Sequence, residues 1–189
     1  MDKQAHILQS AQILFAQFGL KNVTTDSIAR EARVSKATIY KYFRNKREIF
    51  DRVVHDEIDA LLSRIREAVE AEKSAEKKLW AHLRSRLGKV GEFVNFYRVT
   101  QDSWGDYWPH FAQIRNDFLT REQRTVSEIL KDGIRSGELQ VEDCDKAAYV
   151  LVLALASVEY QWFLNEGRFT LDETVDTMIK MVMKGIGRK

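Results

Sequence analysis

The sequence predicts an all-α protein of about nine helices. Apolar residues recur at helical spacing along the whole chain, and no two segments show the alternating pattern of paired strands. The 189 residues include one proline, nine glycines and one cysteine, so few positions interrupt a helix and no internal disulfide can form. Hydrophobic residues make up 44% of the chain and charged residues 31%. This balance predicts a sizeable core beneath a charged surface.

The N-terminal part of the chain predicts three helices with capping signals between them. Apolar residues from Ile7 to Phe18 lie on one helical face, and Gly19 suits the C-terminal cap of that helix. Thr24 suits the N-cap of a second, short helix, and Ser35 suits the N-cap of a third. A tight turn joins the second helix to the third. This arrangement is typical of helix-turn-helix proteins, which place the second helix of the pair in the DNA major groove.

The third predicted helix, Lys36 to Tyr42, has an apolar inner side and a basic, hydroxyl-bearing outer side. Ile39 and Phe43 are spaced to face a core. Residues 33–47 carry six basic side chains and no acidic one. Residues 1–50 hold nine Lys or Arg against four Asp or Glu, whereas the rest of the chain holds 21 against 24. A basic run alone is often just a solvated helix face. Together with two capped helices at this spacing, it favours contact with DNA phosphates.

These elements resemble the DNA-binding domain of the tetracycline-repressor (TetR) family of bacterial regulators. The matching positions are Phe15-Ala16-Gln17-Phe18-Gly19, Thr24-Thr25, Ile28-Ala29, Ala32, the run from Val34 to Phe43, and Lys46. Two positions depart from the family pattern: Arg33 stands where glycine is usual, and Lys41 where histidine is frequent. The resemblance is detailed over residues 5–55. It implies a helix-turn-helix domain over residues 1–47 and a helical-bundle domain for effector binding and dimerisation over residues 48–189.

The predicted DNA contacts divide into two kinds. Lys36, Thr38 and Ala37 lie near the start of the recognition helix, where side chains reach base edges. Hydroxyl-bearing and basic residues around them, including Lys46, are expected to hold phosphates and set the register. The full predicted set is Thr24, Thr25, Arg33, Ser35, Lys36, Ala37, Thr38, Tyr40, Lys41, Tyr42 and Lys46.

Apolar periodicity predicts the remaining helices and a dimer contact. It indicates helices from about Lys46 to Glu72 and from Leu79 to Val94, one restarting near Pro109, one from Arg115 or Asn116 to Arg135, and two more over residues 143–165 and 171–186. The helix over residues 143–165 is apolar on most sides. It is either the core helix of a monomer or, with the helix over residues 171–186, the interface of a homodimer. The dimer is favoured, because its two DNA-binding domains can contact successive major-groove faces of a palindromic site.

An aromatic cluster predicts an effector pocket. Residues 93–118 hold eight of the twenty aromatic side chains of the protein. Small-molecule pockets are mostly apolar and aromatic, although aromatic residues at helical spacing also build ordinary cores. The candidate ligand-binding residues are Phe93, Phe96, Tyr97, Gln101, Trp104, Tyr107, Trp108, Phe111 and Tyr160. Further polar candidates are Asp102, Asp106, His110 and Glu159.

Other functional classes find little support. The four histidines are scattered and Cys144 is the only cysteine, so neither a metal site nor a cofactor is predicted. The sequence has no glycine-rich phosphate loop and no nucleophile elbow, and an enzyme is not expected. The first residues lack an apolar signal block, and the longest apolar run falls short of the ~20 residues of a membrane span. These observations predict a cytoplasmic protein without a membrane partner.

Three functions remain for comparison. The first is a repressor that binds a palindromic DNA operator as a homodimer and is released by a small apolar or aromatic effector. The second is a ligand-independent DNA-binding structural factor of the same fold. The third is a helical small-molecule binder or enzyme with an incidental basic segment. Steep weakening of DNA binding between 50 and 200 mM salt would separate the first two from the third.

Overall fold

The computed structural model describes residues 2–87, 95, 108–164 and 169–186, with side chains for all of these except residues 108, 109, 159–164 and 171. This part of the chain contains eight helices and confirms the all-α fold class. They are α1 (Lys3–Asn22), α2 (Thr25–Glu31), α3 (Lys36–Tyr42), α4 (Lys46–Glu70), α5 (Ala75–Leu87), α6 (Trp108–Arg135), α7 (Cys144–Leu164) and α8 (Leu171–Ile186).

Helix α6 is one continuous helix where the sequence suggested two. It runs for 28 residues without the predicted restart near Arg115. Pro109 is the second residue of α6, where a missing N–H removes no helical hydrogen bond. Phe111, Ile114 and Phe118 are all buried at helical spacing across the predicted break. One apolar face therefore continues through the segment and holds it in a single helix.

The chain divides into two compact units, one formed by residues 1–60 with 93–112 and the other by residues 61–92 with 113–189. In the first unit the described core is formed by α1, α2, α3 and the start of α4. The rings of Phe15 and Phe50 meet edge to face, with centroids 5.0 Å apart. Ile28 and Ile39 are fully buried on the two short helices. Burial of these side chains holds two helices of seven residues that would be marginal in isolation.

The core of the second unit includes residues of α5, α7 and α8. Leu83, Leu155 and Ile179 belong to one buried apolar cluster, one from each helix. The connection after α6 packs closely against the start of α5, where Glu138 Oε2 accepts a hydrogen bond of 2.8 Å from the Ala75 N–H. A Cβ atom at Gly133 would lie 2.7 Å from Ala75 Cβ, so only glycine fits there. Among the described residues, no helix is long and apolar enough to cross a membrane.

Candidate nucleic-acid interface and effector site

Side-chain caps define the start of both short helices, as the sequence predicts. Thr24 Oγ1 accepts a hydrogen bond of 3.1 Å from the Ser27 N–H, and Ser27 Oγ accepts one of 3.0 Å from the Thr24 N–H. Ser35 Oγ accepts a hydrogen bond of 3.1 Å from the Thr38 N–H. Each cap satisfies amide groups that the first helical turn leaves unpaired. The caps therefore fix where α2 and α3 begin.

The turn between α2 and α3 uses a left-handed residue. Arg33 has a φ of 50°, the only positive value among the described non-glycine residues. A side chain in this conformation costs on the order of 1 kcal/mol. The Val34 N–H donates to the Ala29 carbonyl at 2.9 Å and closes the turn. The departure from glycine at Arg33 is thus accommodated, and it leaves an exposed guanidinium next to α3.

One face of α3 is exposed and carries four of the eleven residues predicted to contact DNA. Lys36, Ala37, Tyr40 and Lys41 are all exposed, and Tyr40 keeps half of its surface open to solvent. Their spacing of i, i+1, i+4 and i+5 places them on one side of the helix. Ile39, fully buried, anchors the opposite side. We call this set of four residues the outward stripe of α3.

Several other predicted DNA contacts are hydrogen-bonded within the motif or partly buried. Thr24 and Ser35 use their hydroxyl groups in the caps just described. The Thr38 hydroxyl lies 2.8 Å from that of Ser35, so the methyl group is the part of Thr38 that remains available to contact a base. Thr25 and Tyr42 are half-buried at the edges of the motif. Nothing in the structure tests their contact with DNA, which stays a prediction.

Lys36 is held by an acidic neighbour that the sequence did not single out. Its Nζ lies 2.8 Å from Asp26 Oδ2 on α2, and both side chains are largely exposed. The hydrogen bond to Asp26 raises the pKa of Lys36 above its ordinary value. The ion pair orients Lys36 in the free protein, and the Asp26 carboxylate opposes the approach of a phosphate. A base or phosphate must therefore compete with Asp26 for this ammonium.

Lys46 makes hydrogen bonds within the protein, in addition to its predicted contact with a DNA phosphate. Its Nζ donates hydrogen bonds to the carbonyls of Leu20 at 2.7 Å, Val23 at 2.5 Å and Lys21 at 3.4 Å. These carbonyls lie at the C-terminal end of α1, after Gly19 interrupts the helix with a φ of 76°. Partial burial, with Arg47 close by, lowers the pKa of Lys46 below its ordinary value. Lys46 therefore ties the first residue of α4 to the end of α1.

The predicted aromatic pocket lies mostly outside the described residues. Phe93, Phe96, Tyr97, Gln101, Trp104 and Tyr107 belong to the part of the chain that the structure does not describe, as do Asp102 and Asp106. Trp108, Tyr160 and Glu159 lie in helices, but their side chains are not described. Phe111 is fully buried, and His110 is exposed with Nε2 3.1 Å from Asp51 Oδ2. The pocket stays a prediction.

A buried polar cluster links this segment to α1 and α4 within the first unit. Asn95 Nδ2 donates to Glu57 Oε1 at 2.7 Å and to the Gln12 carbonyl at 3.2 Å. Gln12 Nε2 also donates to Glu57 Oε1, at 3.0 Å. Glu57 and Asn95 are both almost fully buried. No local pattern could have revealed this cluster, because its members come from three distant parts of the sequence.

The second unit holds a buried charged cluster that the sequence did not predict. Arg86 Nε lies 2.8 Å from Glu122 Oε1, and His82 Nε2 lies 3.5 Å from the same oxygen. The Arg86 guanidinium also stacks 4.7 Å above the Phe118 ring centroid. Burial by itself would raise the pKa of Glu122, but Arg86 and His82 outweigh it and hold the pKa below its usual value. Glu122 is therefore a buried carboxylate balanced by Arg86.

Comparison with known proteins covers both units. Residues 7–53 match the family described as "Bacterial regulatory proteins, tetR family", and residues 72–186 match the "Tetracyclin repressor-like, C-terminal domain". The chain is 27% identical over 194 residues to the uncharacterised HTH-type transcriptional regulator YhgD of Bacillus subtilis, covering 98% of this chain and 97% of that protein.

Solved structures with the same fold include ligand complexes. A putative transcriptional regulator from Saccharomonospora viridis in complex with choline aligns with a TM-score of 0.84 and 21% identity, covering 98% of each chain. The transcriptional regulator FadR from Bacillus subtilis in complex with stearoyl-CoA aligns with a TM-score of 0.77 and 22% identity, covering 96% of this chain and 98% of the other. The capped helix-turn-helix, the helical second unit and the two family matches together establish that this chain belongs to the TetR family of transcriptional regulators.

Proposed function

We propose that this regulator is a repressor that binds a palindromic operator as a homodimer and releases it when a small molecule binds the C-terminal domain over residues 48–189. The observation that carries the proposal is the outward stripe of α3, which is exposed while Ile39 anchors the helix from behind. Lys36 and Ala37, with the Thr38 methyl, would contact base edges. Thr25, Tyr40, Lys41 and Tyr42 would hold phosphates. Such a protein acts where the DNA is, so the cytoplasm is its expected location.

A change confined to the stripe tests this proposal. Ala37→Glu places a carboxylate on the exposed face without disturbing a buried residue, and phosphate repulsion should abolish detectable DNA binding. Ala60→Glu, at an exposed position of α4, is the matched control and should bind like the wild type. Fluorescence anisotropy of a labelled duplex between 50 and 200 mM salt measures both effects. Equal affinities of the two variants would refute the proposed DNA-reading face.

Exposed apolar side chains on α7 and α8 support the homodimer. Tyr149, Val150 and Leu153 are 53%, 61% and 38% exposed, and their spacing puts them on one side of α7. Met181 on α8 is 71% exposed. An apolar face of this kind on a small protein marks an interaction surface. A second copy of the same face would cover it with twofold symmetry.

The dimer proposal is tested by one charge in that face. Val150→Glu should convert a dimer to a monomer, because pairing would bury two carboxylates without partners. Light scattering at micromolar concentration gives the mass directly. Ala60→Glu, the exposed change on α4 used above, controls for an added carboxylate outside α7 and α8. A wild-type mass equal to one chain, or a dimeric Val150→Glu variant, would rule out this interface.

Release by an effector is supported by the polar cluster around Asn95. Asn95 lies within the aromatic-rich segment and bonds to both α1 and α4, so a shift of that segment would reach the DNA-binding unit. Mass spectrometry of small molecules extracted from the purified full chain identifies a candidate effector. Adding that compound back should weaken operator binding at least tenfold. An extract that leaves operator affinity unchanged would favour a ligand-independent DNA-binding factor.

A further inference from the structure

The ion pair between Lys36 and Asp26 joins the recognition helix to the helix before it. Lys36 Nζ lies 2.8 Å from Asp26 Oδ2, and the two side chains are 48% and 60% exposed. Asp26 is the second residue of α2, and Lys36 is the first residue of α3. Side-chain caps at Thr24 and Ser35 fix both of these helix starts. Two anchored backbones therefore hold the pair, while both charged groups stay open to a bound duplex.

Two other cations of the motif differ from Lys36 in this respect. Arg33 and Lys41 are both exposed, and neither forms an ion pair with a residue that the structure describes. The charge of Lys36 is compensated by Asp26, whose hydrogen bond raises the pKa of Lys36 and so keeps the ammonium protonated. Arg33 and Lys41 thus offer a phosphate an uncompensated positive charge, whereas the Lys36 pair is neutral as a whole.

A phosphate and a base edge compete unequally with Asp26. A phosphate bound to Lys36 would lie close to the Asp26 carboxylate, and the two anions repel each other. A neutral pair also leaves the phosphate charge uncompensated, so little condensed counterion is released. The O6 and N7 atoms of guanine are neutral acceptors. Because a lysine has three N–H donors, one can stay on Asp26 while another donates to the base.

We propose that Asp26 is a positioning residue that sets specificity, because it keeps Lys36 from binding phosphates and leaves it available to the edge of a guanine. The inference rests on the proposed function, since it requires α3 to lie in the major groove, and it names how that helix distinguishes bases from the backbone. Without Asp26, Lys36 would bind phosphates of any sequence. The affinity for unrelated DNA would then rise more than the affinity for the operator.

Four variants of the full chain and two duplexes test this role. Asp26→Asn keeps the size of the side chain and removes its charge, and Lys36→Met keeps the stem and removes the ammonium. The double variant combines the two changes. Glu31→Gln removes one carboxylate from the exposed last residue of α2 and is the matched control. Exposed ion pairs contribute little to stability, so all four variants should melt like the wild type.

One duplex is a sequence that the wild type enriches from a random library, and the other has the same bases in shuffled order. Fluorescence anisotropy between 50 and 200 mM salt gives the affinities and the slope of log K against log salt. At 50 mM salt, Asp26→Asn should bind the shuffled duplex about tenfold more tightly and the enriched duplex about threefold more tightly. The preference for the enriched duplex should therefore fall about threefold, and it should stay unchanged in Glu31→Gln.

The salt slope on the shuffled duplex identifies the group responsible. Asp26→Asn should steepen this slope by about 0.9 per bound chain, which corresponds to one new phosphate contact, and the double variant should return it to the wild-type value. With Asp26 present, Lys36→Met should leave the slope unchanged.

An equal loss of slope on replacing Lys36 with and without Asp26 would overturn the inference, as would an unchanged preference in Asp26→Asn. Either result leaves the proposed function intact, because the wild type still prefers the enriched duplex. A wild type that enriches no sequence, or binds DNA without salt dependence, would refute the proposed function and this role of Asp26 together.

Discussion

Replacing Lys46 by methionine separates the two roles that this side chain can have. Methionine keeps an unbranched apolar stem and removes only the ammonium. In the free protein that ammonium donates to the Leu20 and Val23 carbonyls at 2.7 and 2.5 Å, with a weaker third bond to Lys21 at 3.4 Å. A phosphate contact in the DNA complex would be a different use of the same group.

The structure sets the size of the expected effect. Hydrogen bonds to a charged group contribute about 1.5–3 kcal/mol, and partial exposure of Lys46 places the loss near the lower end, at about 2 kcal/mol. For a chain of this length that loss lowers the melting temperature by about 4–8 °C. If Lys46 serves only to cap the last carbonyls of α1, its replacement leaves the slope of log K against log salt for DNA binding unchanged, since no phosphate contact is lost.

Lys41→Met is the matched control, because Lys41 lies exposed on the outward stripe of α3. Its replacement should leave stability within about 0.5 kcal/mol and reduce the salt slope by about 0.9 per phosphate contact. Urea denaturation and salt-dependent anisotropy measure the two quantities on both variants. A Lys46→Met protein of unchanged stability but reduced salt slope would refute the capping role and support the phosphate contact predicted from sequence.

Three further predictions concern single side chains. Glu122→Gln should cost about 3 kcal/mol at neutral pH, since it leaves Arg86 buried without its counter-charge. Folding lowers the pKa of Glu122, so the ionised carboxylate stabilises the folded protein above pH 4.5, and this stabilisation is lost as the pH falls through the pKa of the folded state. Urea denaturation at several pH values should therefore show that the free energy of unfolding falls less on acidification in the variant than in the wild type. Asp26→Asn should release Lys36 and raise DNA affinity roughly threefold at 50 mM salt, with a smaller gain at 200 mM; anisotropy showing weaker binding would contradict this. Gly133→Ala should destabilise the second unit by about 1–3 kcal/mol in urea denaturation, because its methyl group would clash with a neighbouring helix, and an unchanged midpoint would contradict the packing described.

Local signals explain why much of the DNA-binding unit was predictable. Thr24 and Ser35 cap helices with hydrogen bonds that span only three residues. Ile39 faces the core because helical spacing dictates its side, and the left-handed turn at Arg33 follows from the tightness of the connection. The residue range that determines each of these features is shorter than ten positions. Sequence reasoning therefore locates the exposed stripe of α3 well.

Features formed by distant residues escaped prediction. Lys46 reaches carbonyls more than twenty positions earlier, and its charge alone indicates only a surface cation. Arginine and glutamate usually lie on the solvent-exposed face of a helix, so their sequence positions do not reveal that Arg86 and Glu122 are buried. Only the contact between α5 and α6 brings them together as a buried pair. The homodimer face was predicted from the apolar circumference of α7, and Tyr149 is exposed as that prediction requires. The dimer itself remains to be measured.

Selection of bound duplexes from a random library measures directly which sequence α3 reads. In the proposed complex, two copies of the outward stripe of α3 contact successive major-groove faces of one duplex. The full chain should enrich an inverted repeat with half-site centres about 10 base pairs, or a multiple of that, apart. A Lys36→Ala variant should enrich a repeat altered at the bases this side chain contacts. Enrichment of no sequence, or of one identical for both proteins, would contradict the role assigned to α3.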